Sequence, residues 1–358
     1  VKRSLLLAGT FSLIIAGAAA AAGGGANGPP ARSALVVTAS NTASNQLLVY
    51  SPTGALLKVI PTGGQGGVGG NAGGIAQNHD RLAVVNFGSN TVSVFSKDAA
   101  SGSLKLESLV PVSAGPVSVA LDERHLYVLT GKSVESHPID QRAGVSPRAD
   151  GAAALLVADG SAAQVGILPG QLILSEKSNA IEAVGLNGAG AVGGRAVATR
   201  NIPANVDTPF GLVTRGNDAF VTIAHANEIG LVRNNTVTAV TGSGTQKSPC
   251  WLALDGNFLF SANSPSHSVS RYVVSPQGLV QTAAVAATFN GSPTDITFAK
   301  VGNAGGLAAV VDANGTVSHL SIFRVDAAGN LGLQGLATIN TPTTNGVAVV
   351  KFGGDRGN

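Results

Sequence analysis

One phrase is written seven times along the 358-residue chain. Each copy opens on a small residue or a proline, enters a short apolar run, breaks at a turn rich in Gly, Asn or Asp, and continues through further short runs. Aligned on the opening residue, the copies start at Ala72, Pro116, Ala162, Pro209, Pro249, Pro293 and Thr344, spaced by 44, 46, 47, 40, 44 and 51 residues. A unit of about 45 residues holding several strands cannot cover its own apolar faces and must stack on its neighbours, which is the mark of propeller blades. The repeat predicts an all-β fold, a seven-bladed β-propeller with four-stranded antiparallel blades.

Within a copy the elements read as strands and turns. From Pro249 the chain runs "CWLAL", "DGN", "FLFSAN", "SPSH", "SVSRYVV", "SPQG" and "LVQTAAV". Short β-branched or apolar runs separated by Gly, Asn, Asp and Pro are strands rather than helices. The second run of each copy, such as "LAVV" at Leu82, "LYVL" at Leu126 or "FVTI" at Phe220, is apolar without alternation. Such a run is covered on both faces, as the middle strands of a blade are; a sandwich would show one wet face. The last copy, "TTNGVAVVKF", provides a single strand, while "ALVVTA" from Ala34, "QLLVY" from Gln46 and "ALLKVI" from Ala55 provide three. Pairing the C-terminal strand with these N-terminal ones completes the seventh sheet and closes the ring.

Residues 1–22 read as a secretory signal peptide: Lys2 and Arg3, an apolar stretch from Leu5 to Ala16, then small residues. Residues 23–33 read as a flexible leader and 34–353 as the propeller. The expected location is secreted or periplasmic, with no membrane span after cleavage. Charged residues make up 11% of the chain and the formal net charge is +3, of which Lys2 and Arg3 carry two. There is no Lys/Arg cluster, so nucleic acid is excluded as a partner. Cys250 is the only cysteine, which leaves no intrachain disulfide.

The loops between second and third strands, and the residue two places after each opening residue, are expected to meet at one mouth of the ring. That places Glu176, Glu228, Asp295, Asp312, His225 and His267 around an opening, with Ser118, Gln164 and Trp251 beside them. Converging acids and imidazoles in a concavity suit general acid–base work or ligand binding. The sequence names Glu176, Trp251, His267, Asp312 and Ser118 as ligand-binding candidates, and His225, Glu228 and Asp295 as candidates for catalysis. His79, His125, His137 and His319 are expected at the surface. No metal-ligand spacing, phosphate loop or nucleophile elbow occurs, so neither metal nor cofactor is implied. The Gly-rich stretch from Gly63 to Gly74 reads as a mobile connection.

Phrases such as "DRLAVVNFGSNTVSVFSKDAASGSL", "NFLFSANSPSHSVSRYVVSPQGLV" and "GPVSVALDERHLYVLT" resemble the lactonase-type seven-bladed propellers, the 6-phosphogluconolactonase-like group, and the exported propellers with Tyr-Val-Thr-Asn repeats. The resemblance spans Ala34 to Phe352 and implies the same fold and, for its enzyme members, lactone hydrolysis. Those members carry an Arg-His pair or a single His after the Gly-Pro step of certain blades. Here the corresponding positions are Val117-Ser118, Phe210-Gly211, Cys250-Trp251 and Thr294-Asp295, so no catalytic residue carries over. The expectation is a monomeric binding module whose loop-bearing face takes a small polar ligand or a protein or cell-surface partner; the alternative is an extracytoplasmic lactone hydrolase.

Overall fold

Seven antiparallel sheets form a closed ring in the computed structural model, which describes residues 34–203, 208–301 and 305–352. The signal-peptide and leader readings fall outside the described residues, as does the last residue of the 34–353 domain. From the channel outward, blade 1 is Ile75–Gln77, Arg81–Asn86, Thr91–Asp98 and Ser103–Pro111. Blade 2 is Pro116–Leu121, His125–Thr130 and Ser133–Asp140, with its outer position shared by Gly144–Val145 and Gly151–Ala154. The split falls at Pro147, which has no N–H to give to a ladder. Blade 3 is Ala162–Leu168, Gln171–Glu176, Ala180–Leu186 and Val192–Ala198. Blade 4 is Pro209–Arg215, Asp218–Ile223, Glu228–Arg233 and Thr236–Gly242. Blade 5 is Pro249–Asp255, Phe258–Asn263, Ser268–Ser275 and Gly278–Thr288. Blade 6 is Ser292–Lys300, Gly306–Ala313, Ser318–Val325 and Leu331–Ile339.

Blade 7 closes the ring as the sequence predicts. Asn345–Val350 pairs with Leu35–Ala39, from Leu35 opposite Val350 to Thr38 opposite Val347, and Gln46–Tyr50 and Leu56–Pro61 complete the sheet. The second strands of blades 1 and 2 are buried at every residue, because each is covered by a neighbouring blade on either face. The core is thus a series of layers between blades. One layer joins Val94, Leu126, Val128, Val165 and Leu174 across blades 1 to 3.

Burial between blades corrects the reading of the histidines. His125 and His137 are buried. His125 Nε2 stands 2.9 Å from Asp150 Oδ2 with Tyr127 stacked beside the ring, and His137 Nδ1 lies 3.0 Å from the Ser146 carbonyl. Only strand position reveals this; locally both residues look like polar surface.

A second regularity appears where the inner strands of blades 2 to 7 begin. The register slips by one residue between Pro116 and Ser118, Ala162 and Gln164, Pro209 and Leu212, Pro249 and Trp251, and Pro293 and Asp295. Blade 7 slips opposite Thr38 and Ala39. Such bulges re-aim a side chain and release a backbone group from the ladder. In blades 2, 3 and 6 the side chain two places after the opening residue reaches the next blade. Ser118 Oγ accepts from Val165 N at 3.2 Å, Gln164 Oε1 accepts from Leu212 N at 2.6 Å, and Asp295 accepts from Val347 N. These contacts clasp blade 2 to 3, 3 to 4 and 6 to 7.

At the blade 4–5 joint, backbone approaches backbone. A Cβ on Gly211 would lie 2.2 Å from the Cys250 carbonyl oxygen and 2.9 Å from Trp251 Cα. Gly211→Ala should therefore push these blades apart and cost about 1–3 kcal/mol, read as a lower urea midpoint at unchanged slope. A midpoint equal to wild type would show that the joint tolerates the methyl group.

Candidate functional site

The stretch from Gly63 to Gly74 is a hydrogen-bonded plug, not the mobile connection its composition suggests. It crosses the mouth of the ring and is held from many sides. Asn41 Nδ2 donates to Val68 O at 2.7 Å and Asn41 Oδ1 accepts from Gly67 N at 2.7 Å. Lys177 Nζ donates to Gly70 O at 2.6 Å, Ala72 N to Ala163 O at 3.1 Å, and Val119 N to Gly73 O at 3.0 Å. Asn71 is the pin. Its carbonyl accepts from Trp251 Nε1 at 3.1 Å, its Nδ2 donates to Val117 O at 2.5 Å, and its Oδ1 accepts from Asn345 Nδ2 at 2.7 Å. One buried residue thereby ties blades 2 and 7 through its side chain and blade 5 through its carbonyl. Glycine is needed at Gly73 in particular, where φ is +65° and a Cβ would meet Ser118 Oγ at 2.9 Å.

Beside the plug lies a cavity of about 620 Å³. Phe210 and Trp251 form its apolar wall, edge to face with centroids 5.3 Å apart. Around them stand Thr208, Ser248, Ser264, Thr294, Thr343 and Asn345, with His225 and Cys250. His225 Nδ1 lies 3.0 Å from Thr208 Oγ1. Burial pushes the Cys250 thiol up to about 12, although the Ser264 N–H donates to it; such a thiol is no nucleophile near neutrality. Among the described residues, the lining holds no carboxylate, lysine or arginine.

The residues proposed from sequence are dispersed. His225 and Trp251 line the cavity. Ser118 and Asp295 sit at the same level but serve the interblade clasps; burial raises Asp295 to about 7 while the N–H groups of Ile296 and Val347 donate to it. Glu228 begins the third strand of blade 4, outside the cavity lining. His267 is exposed and stands 3.4 Å from Ser292 Oγ through Nε2. Asp312 is buried against His319, between blades 5 and 6. Glu176 is buried in blade 3 with neither oxygen receiving a donor. Its neighbour Glu182 takes both available N–H groups, from Leu156 and Val157, each at 2.9 Å. Burial, then the adjacent Glu182, push Glu176 up to about 9.

Asn71, Asn345 and Phe210 are site residues that sequence reasoning passed over. The one available signal was the lone Asn within the glycine run.

No family profile matches the sequence, and no curated protein matches it. Solved structures do resemble it. A periplasmic gluconolactonase from Pseudomonas aeruginosa superposes with a TM-score of 0.64 at 15% identity, covering 89% of this chain and 99% of that one. A candidate 6-phosphogluconolactonase from Bacteroides uniformis gives 0.64 at 14% identity, covering 89% and 100%. A second from Bacteroides fragilis gives 0.60 at 15%, covering 91% and 100%. The chain is a seven-bladed β-propeller with the fold of the gluconolactonase-like proteins. At these identities the likeness establishes the fold and leaves the chemistry to the residues.

Glu176 makes stability depend on pH with a definite sign. Its folded value of about 9 lies above its ordinary 4.5, so its contribution is complete below the ordinary value and is lost as pH rises through the folded one. Glu176→Gln should leave the unfolding midpoint nearly unchanged at pH 4 and raise stability at pH 8 by at least about 1 kcal/mol. Equal effects at both pH values would mean that the carboxyl is ionised in the folded protein.

Proposed function

We propose that this protein is an extracytoplasmic binding propeller that holds a small, uncharged, hydroxyl-bearing ligand in the mouth cavity beside the plug. The observation that carries this reading is the lining itself. An aromatic wall of Phe210 and Trp251 faces hydroxyl and amide groups, with no charged side chain among the described lining residues. An apolar platform with convergent neutral polar groups suits a ligand that has one apolar face and several hydroxyls. A charged ligand would meet no carboxylate, lysine or arginine among the described lining residues. Export is supported by the basic and apolar N-terminal pattern and by the likeness in fold to a periplasmic gluconolactonase. No helix among the described residues is long and apolar enough to cross a membrane.

Lactone hydrolysis is the second reading, supported by the shared fold of the Pseudomonas aeruginosa gluconolactonase. It requires a base and a group to stabilise the oxyanion. At this cavity the base among the described lining residues would be His225, and the oxyanion would fall to neutral donors such as Ser248 or Asn345.

Trp251 is the only tryptophan, so its fluorescence reports on the cavity directly. Titrating the full chain with neutral sugars and with their aldonolactones should give a saturable change in emission with the lactone ring left intact. His225→Ala should weaken binding by about three- to tenfold, the worth of one hydrogen bond. Lactone opening above the buffer rate that disappears in His225→Ala would replace the binding reading with the hydrolase. Neither emission change nor turnover would remove the cavity as the site.

A further inference from the structure

Blade 6 departs from the brace its sister blades use. Near the mouth end of the second strand, blades 1 and 5 place Asn86 and Asn263. Asn86 Nδ2 donates to Thr91 Oγ1 at 3.2 Å and Ser93 Oγ at 2.6 Å; Asn263 Nδ2 donates to Ser268 Oγ at 3.1 Å and Ser270 Oγ at 2.8 Å. Each brace is neutral, and Asn86 Oδ1 also accepts from Asn45 Nδ2 at 3.0 Å and Thr62 Oγ1 at 2.9 Å. The same register in blade 6 sets Asp312 opposite His319 and Val310 opposite Ser321. An acid and an imidazole thus occupy positions that two other blades fill with an amide and a hydroxyl. The fold does not require the ionisable pair.

The pair also faces a cleft. Asp312, His319 and Ser321 line a cavity of about 310 Å³ between the outer strand of blade 5 and blade 6. The Asp312 side chain is only 2% exposed, and its Oδ2 lies 3.1 Å from His319 Nδ1. Gly291 leaves room for that carboxylate, since a Cβ there would stand 2.5 Å from Oδ2. A carboxylate only accepts, so in the neutral imidazole the proton sits on Nδ1, toward Asp312, and Nε2 is the acceptor. The remaining walls are mainly apolar, with Thr288 and Asn290 among them. Phe289 and Phe323 meet edge to face at 6.1 Å, and Leu333 and Leu336, 61% and 58% exposed, form the opposite lip.

We propose that this cleft is a second ligand site, independent of the mouth cavity, and that it takes a small phenol. The aromatic ring lies between the two phenylalanines and the leucine lip, and the phenolic O–H donates to His319 Nε2, which Asp312 holds as an acceptor. The volume is at the small end for ligand pockets, which suits one substituted ring rather than a disaccharide or a nucleotide.

The test compares 4-methylphenol with toluene and 4-methylanisole, which keep the ring but cannot donate, by ligand-observed NMR on the full chain. The phenol should bind at least about tenfold more tightly than either analogue. His319→Leu should erase that difference, and Leu333→Lys at the exposed lip should weaken all three. Should His319→Leu fail to fold around the uncompensated Asp312, the wild-type His319 ring nitrogens decide: their resonances must shift with 4-methylphenol and not with toluene. Equal affinity for phenol and toluene, or an undiminished preference in His319→Leu, would overturn the proposal. So would a response of Trp251 emission to the phenol without any change at His319, which would assign the phenol to the mouth.

Discussion

Each inner strand of a closed propeller has a free edge, and the N–H groups along it need partners away from bulk water. Much of this molecule follows from how that demand is met. A bulge after the opening residue turns one side chain toward the following blade, where Ser118, Gln164 and Asp295 each accept the N–H of the neighbouring strand. Where Gly211 provides no side chain, the backbones of blades 4 and 5 close directly on each other. Trp251, at the equivalent place in blade 5, turns instead to the plug.

The clasps explain why the polar residues at the mouth make so little of a catalytic ring. Asp295 and Ser118 lie where a channel-facing reading places them, yet their hydrogen-bonding capacity is spent on holding blades together. Glu176 and Asp312 occupy the bracing position at the end of a second strand, which Asn86 and Asn263 fill in blades 1 and 5. The two proposed ligand sites are the mouth cavity beside the plug, lined from blades 4, 5 and 7, and the cleft that holds the acid–imidazole pair of blade 6.

Much of the architecture was legible in the chain. The opening residues from Pro116 to Pro293 mark or adjoin the starts of inner strands, unbroken apolar runs such as "LAVV" and "LYVL" are the doubly covered second strands, and the incomplete last copy foretells pairing with Ala34–Tyr50. The site was less legible. Asn71 lies 180 residues from Trp251 and 274 from Asn345, and nothing local to the glycine run announces either contact. Likewise His125 and His137 read as surface residues because burial between blades depends on which strand, and which face, carries them.

Sequence alone determined the blade number, the strand content and the manner of closure, because a repeated pattern of apolar runs and turns constrains each unit and its neighbours in the same way seven times. Only the tertiary structure decided which polar groups brace, which pin the plug and which stay open to a ligand. Those roles are fixed by distances between residues far apart in the chain, set when the ring closes, and hydrogen-bonding capacity already used in one blade is no longer available to chemistry at the mouth.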